Sequence, residues 1–244
     1  APTSAAPAAK TKEVTLDDAP ATTAPAEGSA KKPTTNVIKV VNNWVGKAAK
    51  ELKIRLSNVN IKVGNSVDKA AMDVSGDGTT KVELDGQNVL DSYSVRYQAG
   101  LRKQGEGTLT ITDETDDNGN KITAPKSGTS GSLTAKGGGT NGSAGIGGST
   151  GESTGNIIIE GYATVDATGG GVAAGIGGGG SHNGFSGSAY NITIQGHSKV
   201  TASAYDGAAI GSGSAFGGDY GGSATGIVTV SYTHLRAHET EADL

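Results

Sequence analysis

The chain contains no cysteine, one methionine, one tryptophan and 6 prolines in 244 residues. Without cysteine there is no disulfide framework and no thiolate metal site. With so little proline, and with no glycine at strictly every third position, a collagen triple helix is excluded. No apolar run approaches the roughly 18 residues of a membrane-spanning helix. A cationic surplus is missing too: the formal charge is −4, which leaves no basic surface for nucleic acid or acidic lipid. The lack of cysteine suits a bacterial protein outside the cell.

Glycine is what the chain has in excess, 41 of 244 residues, against a usual share of about 7%. A flexible linker would lack ordered apolar runs, yet "NIIIEG", "NITIQG" and "GTLTITD" alternate β-branched and polar residues as strands do. The glycines therefore punctuate strands. Residues 1–35 are rich in Ala, Pro, Thr, Ser, Lys and Glu and too poor in apolar side chains to close a core, so a disordered linker is expected there. Residues 36–51 carry the only tryptophan and are read as an N-terminal cap, either a strand or a short amphipathic helix, between which periodicity does not decide.

From residue 52 to 230 the sequence repeats. One anchor is an alternating triplet before a polar turn: "IRLSN" from Ile54, "VELDG" from Val82, "LTITD" from Leu109, "IIIEG" from Ile157 and "ITIQG" from Ile192. A second is "AGIGG" from Ala144 and from Ala174, with "AAIGS" from Ala208. A repeat of about 30 residues holding two or three short strands cannot bury its own apolar side chains and must stack on the next. Stacking in register sets Ile157 over Ile192 and Val165 over Val200, and sends Ile158 and Thr193 outward. "AGIGG" is expected to form a tight corner with Ile146, Ile176 and Ile210 pointing inward. The fold expected is all-β, a right-handed parallel β-helix; a β-sandwich, the competitor, requires no such ladder.

The segments "GNIIIEGYATVDATGGGVAAGIGGGG" and "NITIQGHSKVTASAYDGAAIGSG" resemble the glycine-rich β-helix domains of secreted and wall-attached proteins of Gram-positive bacteria. That resemblance implies a non-catalytic extracellular or cell-wall module, structural or adhesive, with polysaccharide as a ligand; some members of the wider group bind acidic polysaccharide with calcium. Tyr162 and His197 stand where the family pattern has the second glycine of "GG". The chain's end, "SYTHLRAHETEADL", sets His234 and His238 four apart with Glu239 beside the second, as zinc ligation on a helix needs. Yet "VSYTHLRAHET" followed by a short stretch and "DL" resembles a translated sequencing adapter. Residues 231–244 are therefore expected to be a non-native tail, and the native protein to continue past Val230 in a longer multidomain chain.

For chemistry, the glycine-rich loops lack the Gly-Lys-Ser/Thr ending of a phosphate loop. Asp113, Glu114, Asp116 and Asp117 with Asn118 and Gly119 offer oxygen ligands for calcium, but their order departs from the calcium-loop signature and a solvated hairpin is the favoured reading. Asp85, Glu160 and Asp166 look isolated, with Gln195 and Thr201 at the neighbouring equivalents of the last two, so no catalytic carboxylate pair stacks. The alternative of a polysaccharide lyase or hydrolase fragment lacks its acids. Sugar rings stack on flat apolar faces while their hydroxyls need directional partners. The candidate platform is Tyr162, His197, Tyr190 and Tyr205, with Phe185, Phe216 and Tyr220 as further aromatics. Tyr162 and His197, one coil apart, are expected about 4.8 Å from each other if directly stacked; the plain alternative is that they shield the sheet.

Overall fold

A computed structural model describes residues 13–17, 34–45, 51–64, 68–92, 97–116, 118–125, 131–139, 142–182, 184–216, 221–225 and 229–231. Among these there is no helix; the chain forms short strands in three parallel sheets. Glu13–Asp17, Leu52–Ser57, Thr80–Asp85, Leu109–Asp113, Thr154–Gly161, Ala189–Gln195 and Ala224–Thr225 make the first sheet, with Thr229–Ser231 also paired to Ala189–Gln195. Asn60–Lys62, Gln87–Asp91, Ser132–Lys136, Thr164–Thr168 and Lys199–Ser203 make the second. Ile38–Val41, Met72–Ser75, Leu101–Lys103, Ile146–Gly147, Ile176–Gly177 and Ile210–Gly211 make the third. From Leu52 to Gly211 the chain visits first, second and third sheet in turn, so each strand pairs with its equivalent in an adjacent repeat. Such a path is consistent with a parallel β-helix or solenoid-like fold.

The expected ladder is present. Ile157 pairs with Ile192, Ile159 with Ile194, Val165 with Val200 and Ala167 with Ala202, while Ile146, Ile176 and Ile210 form one column. Ile111, Ile146, Ile157, Ile159 and Ile176 are fully buried. Each such side chain contributes about 1.5–3 kcal/mol on leaving water, which drives the stacking of repeats that cannot close alone.

Three details differ from the sequence reading. "LTITD" slips by two residues: Leu109 pairs with Thr80, and it is Ile111 that pairs with Val82. Side-chain direction has a period of two, so a shift of two keeps every residue on its face and the pattern cannot detect it. "AGIGG" is not only a corner, since its Ile-Gly pairs are the strands of the third sheet. The turn comes at the glycine: Gly177 has φ +138°, and an added Cβ would strike the Gly211 carbonyl oxygen one coil away. Within the stretch expected to be an unstructured linker, Glu13–Asp17 pairs in register with Lys53 to Ser57, as the alternation of "EVTLD" permits. Ile38–Val41 likewise pairs with Met72–Ser75, so the strand alternative holds for that part of residues 36–51. Residues 232–244, with His234, His238 and Glu239, lie outside the described residues.

One repeat is longer than the rest. Between Leu109–Asp113 and Ser132–Lys136, residues 114–116 and 118–125 lie over the outer face of the first sheet as a strap.

Candidate functional site

Two glycines place the rings. The strands Thr154–Gly161 and Ala189–Gln195 turn at Gly161, φ +67°, and Gly196, φ +70°, where the backbone is in the region that glycine tolerates. The next residues are Tyr162, whose N–H donates to Asp113 O at 2.9 Å, and His197, whose N–H donates to Gly161 O at 2.9 Å. Equivalent turns thus sit on one another, and the Tyr162 and His197 rings stack with centroids 4.9 Å apart and planes 16° apart, close to the spacing of adjacent strands, roughly 4.8 Å. His197 is exposed and Tyr162 half-buried. Because the two faces meet, what is left for a ligand is their edges and the outer face of His197.

The strap forms the opposite wall. One Glu83 carboxylate oxygen accepts from Glu114 N–H, Thr115 N–H and the Thr115 hydroxyl at 2.9, 2.7 and 2.8 Å. Arg55 donates to the Thr115 hydroxyl at 2.7 Å and Asp116 O at 3.2 Å, and its guanidinium also holds Asp85 at 2.5 Å. The Tyr162 hydroxyl donates to Thr123 O at 2.6 Å. Between Lys121, Ile122 and Thr123 on one side and the stacked rings on the other lies a groove of about 480 Å³, with Glu160 and Gln195 in its lining.

The same strap alters the electrostatics. Lys81 Nζ meets Glu114 at 2.8 Å and Glu160 at 3.4 Å, and Gln195 donates to Glu160 at 2.6 Å. Glu160 and Gln195 are neighbours as expected, but the expectation of isolated acids fails here, because Glu114 arrives on an insertion outside the repeat pattern. Burial pulls Lys81 down, yet the hydrogen bond it donates to Glu114 and the charges of Glu114, Glu160 and Glu51 outweigh it and hold the ammonium above its ordinary value. Burial pushes the Glu83 carboxyl up, against the opposing bonds from Thr115 and Glu114 and the charge of Arg55.

The acidic run is a hairpin, closed by an antiparallel bridge from Thr115 to Lys121. The Asp116 carboxylate is engaged inside it, accepting from Asn118 N–H, Asn120 N–H and the Asn120 amide. Asp113 is not solvated; it is fully buried and accepts from Gly131 N–H at 2.7 Å. Asp117 lies outside the described residues. Among the described residues no group of three His, Asp or Glu side chains is placed to hold a metal ion.

The four candidate site residues do not converge. Tyr190 lies opposite Gly155, at the far end of its strand from His197, roughly 20 Å away at 3.3 Å per residue. Its ring covers Gly155, and burial followed by the neighbouring Glu106 raises its hydroxyl pKa. Tyr205 is 86% exposed in the turn after Lys199–Ser203. Phe185 and Phe216 are exposed elsewhere, and Tyr220 lies outside the described residues. A second stack escaped the sequence reading: His182 and Phe216, centroids 5.1 Å and planes 17° apart. The signal was available, since the offset that carries Ala174 to Ala208 also carries His182 to Phe216. Comparison with protein families, curated proteins and solved structures gives no match for this chain.

Proposed function

We propose that the chain is a right-handed parallel β-helix module of a bacterial extracellular or cell-wall protein, non-catalytic, which binds polysaccharide in the groove beside Tyr162 and His197. The right-handed path follows from the right-handed twist that strands of L-residues prefer. The observation that carries the binding reading is the stacked ring pair bordering a groove whose other groups, Glu114, Glu160, Gln195 and Lys121, are polar. Sugars need that mixture of an apolar ring face and directional donors and acceptors.

The second reading, a fragment of a lyase or hydrolase, has one observation in its favour: Glu114 and Glu160 share Lys81 at the groove. Two facts weigh against it. A general base must be able to lose its proton near working pH, whereas Lys81 is held protonated by its partners. Hydrolysis needs one carboxyl as acid and one as base or nucleophile, and both carboxylates here are engaged with one ammonium.

Electrophoresis of the protein through native gels containing neutral or acidic polysaccharides, with calcium or with chelator, tests the proposal. Retardation by at least one polymer is expected, weakened by about 1–3 kcal/mol in His197→Ala, the usual loss for one well-packed aromatic contact. Release of new sugar ends from any polymer, lost in Glu160→Gln, would establish the second reading instead. Absence of retardation throughout would leave a structural spacer as the better account.

A further inference from the structure

We propose that the groove recognises the end of a polysaccharide chain, not its interior, because the strap closes it on the side of the preceding coils. This rests on the binding reading above and adds the class of ligand to it. Along the outer face of the first sheet, Arg55, Glu83, Thr112 and Glu160 form one column in register, running parallel to the stack of rings. A polymer following the rings would run along this column.

The column is open at one end and shut at the other. Gln195 and Glu160 are half-exposed and His197 is exposed. One coil further back Thr112 is 0% exposed, and beyond it Glu83 and Arg55 are each 8% exposed beneath the strap. The wall is fixed in place: Glu83 receives three hydrogen bonds from it, Arg55 gives it two, and Tyr162 pins its far limb at Thr123. At the closed end stand Glu114 and Glu160, carboxylates that accept from hydroxyls and are held there by Lys81. A terminal sugar carries a free hydroxyl where an internal one carries a glycosidic link. At this end the hydroxyl meets hydrogen-bonding partners, while a link would have to continue through the strap. Sites built to bond a hydroxyl discriminate strongly against ligands that lack it.

The test titrates the full chain with increasing mass of xylan or polygalacturonate, each intact and after partial hydrolysis. Cutting that multiplies the ends tenfold is expected to lower the half-saturating mass about tenfold, as the molar concentration of sites rises in step. A half-saturating mass that stays the same or rises on cutting overturns the inference and leaves the binding reading standing. Failure of both polymers and their fragments to bind overturns both. In a variant with residues 115–124 replaced by a short glycine turn, which also takes Lys121 out of the groove, binding of long chains is expected to weaken and the dependence on ends to vanish. End-dependence that persists in a folded variant of this kind would remove the strap from its assigned role, and the cutting experiment stands even if that variant does not fold.

Discussion

Tyr162 and His197 lie ring on ring at 4.9 Å, and Tyr162 is also tied to the strap, through its hydroxyl and Thr123 O. The two functions of Tyr162 are separable. Tyr162→Phe keeps the stack and is expected to cost about 0.5–1.5 kcal/mol, the net worth of one hydrogen bond, read from the denaturant midpoint. Tyr162→Ala removes the stack as well and is expected to cost more. Equal losses in the two variants would mean that the ring contact contributes nothing.

The stacked ladder predicts a sharp parity effect. Ile159 is fully buried in the column with Ile111 and Ile194, while Ile158 beside it points outward. Ile159→Ala is expected to lose about 2–5 kcal/mol, the range for deleting a buried aliphatic side chain. Ile158→Ala is expected to lose much less. Urea midpoints of the two variants decide it, and an equal loss would contradict the assigned face.

Glycines that touch the next coil should be irreplaceable where exposed ones are not. Gly177→Ala adds a methyl group against the Gly211 carbonyl at φ +138°, while Gly119 has φ +81° in the strap hairpin with open space around it. Gly119→Ala is expected to cost about 1–2 kcal/mol of backbone strain. Gly177→Ala is expected to lose several times that or to prevent folding, as seen by thermal melting. A mild effect at Gly177 would show that the coils are not in close contact there.

The pH dependence follows from burial. Burial raises the Glu83 carboxyl above its ordinary value, and burial also raises Asp73 against the charges of Arg102 and Lys39. A carboxyl raised in the folded state contributes stability that is complete below its unfolded value and is lost as pH rises through its folded value. Lys103, buried at 2% exposure and lowered by that burial, acts in the opposite sense at alkaline pH. Its contribution is present above its ordinary value and is lost as pH falls through the folded one. Glu83→Gln is therefore expected to flatten the decline in stability as pH rises above the ordinary carboxylate range, relative to the unsubstituted chain. Parallel pH profiles for the two proteins would remove Glu83 from this account.

Repetition made most of the architecture readable. Once "NIIIEG" and "NITIQG" were aligned, the pairs Ile157–Ile192 and Val165–Val200 followed, because stacked repeats must put like on like. The same alignment placed Tyr162 against His197. The largest part that was not readable, the strap, belongs to no repeat. The strap occurs once, so nothing in the sequence announced that Glu114 would join Glu160 on Lys81, or that Glu83 would hold Thr115. These contacts span 30 to 80 residues and depend on how an insertion folds back across coils. The slip at "LTITD" had another origin, a pattern of period two that looks the same after a shift of two.

The most direct test of the binding account is the proton spectrum of the histidine rings during titration with a polysaccharide that retards the protein. The chain has four histidines, and His197→Ala and His182→Ala assign the two described here. The account predicts that the His197 ring signals move progressively and saturate with the polymer while those of His182, in the other stack, stay in place. Saturating binding that leaves the His197 signals unmoved would contradict it.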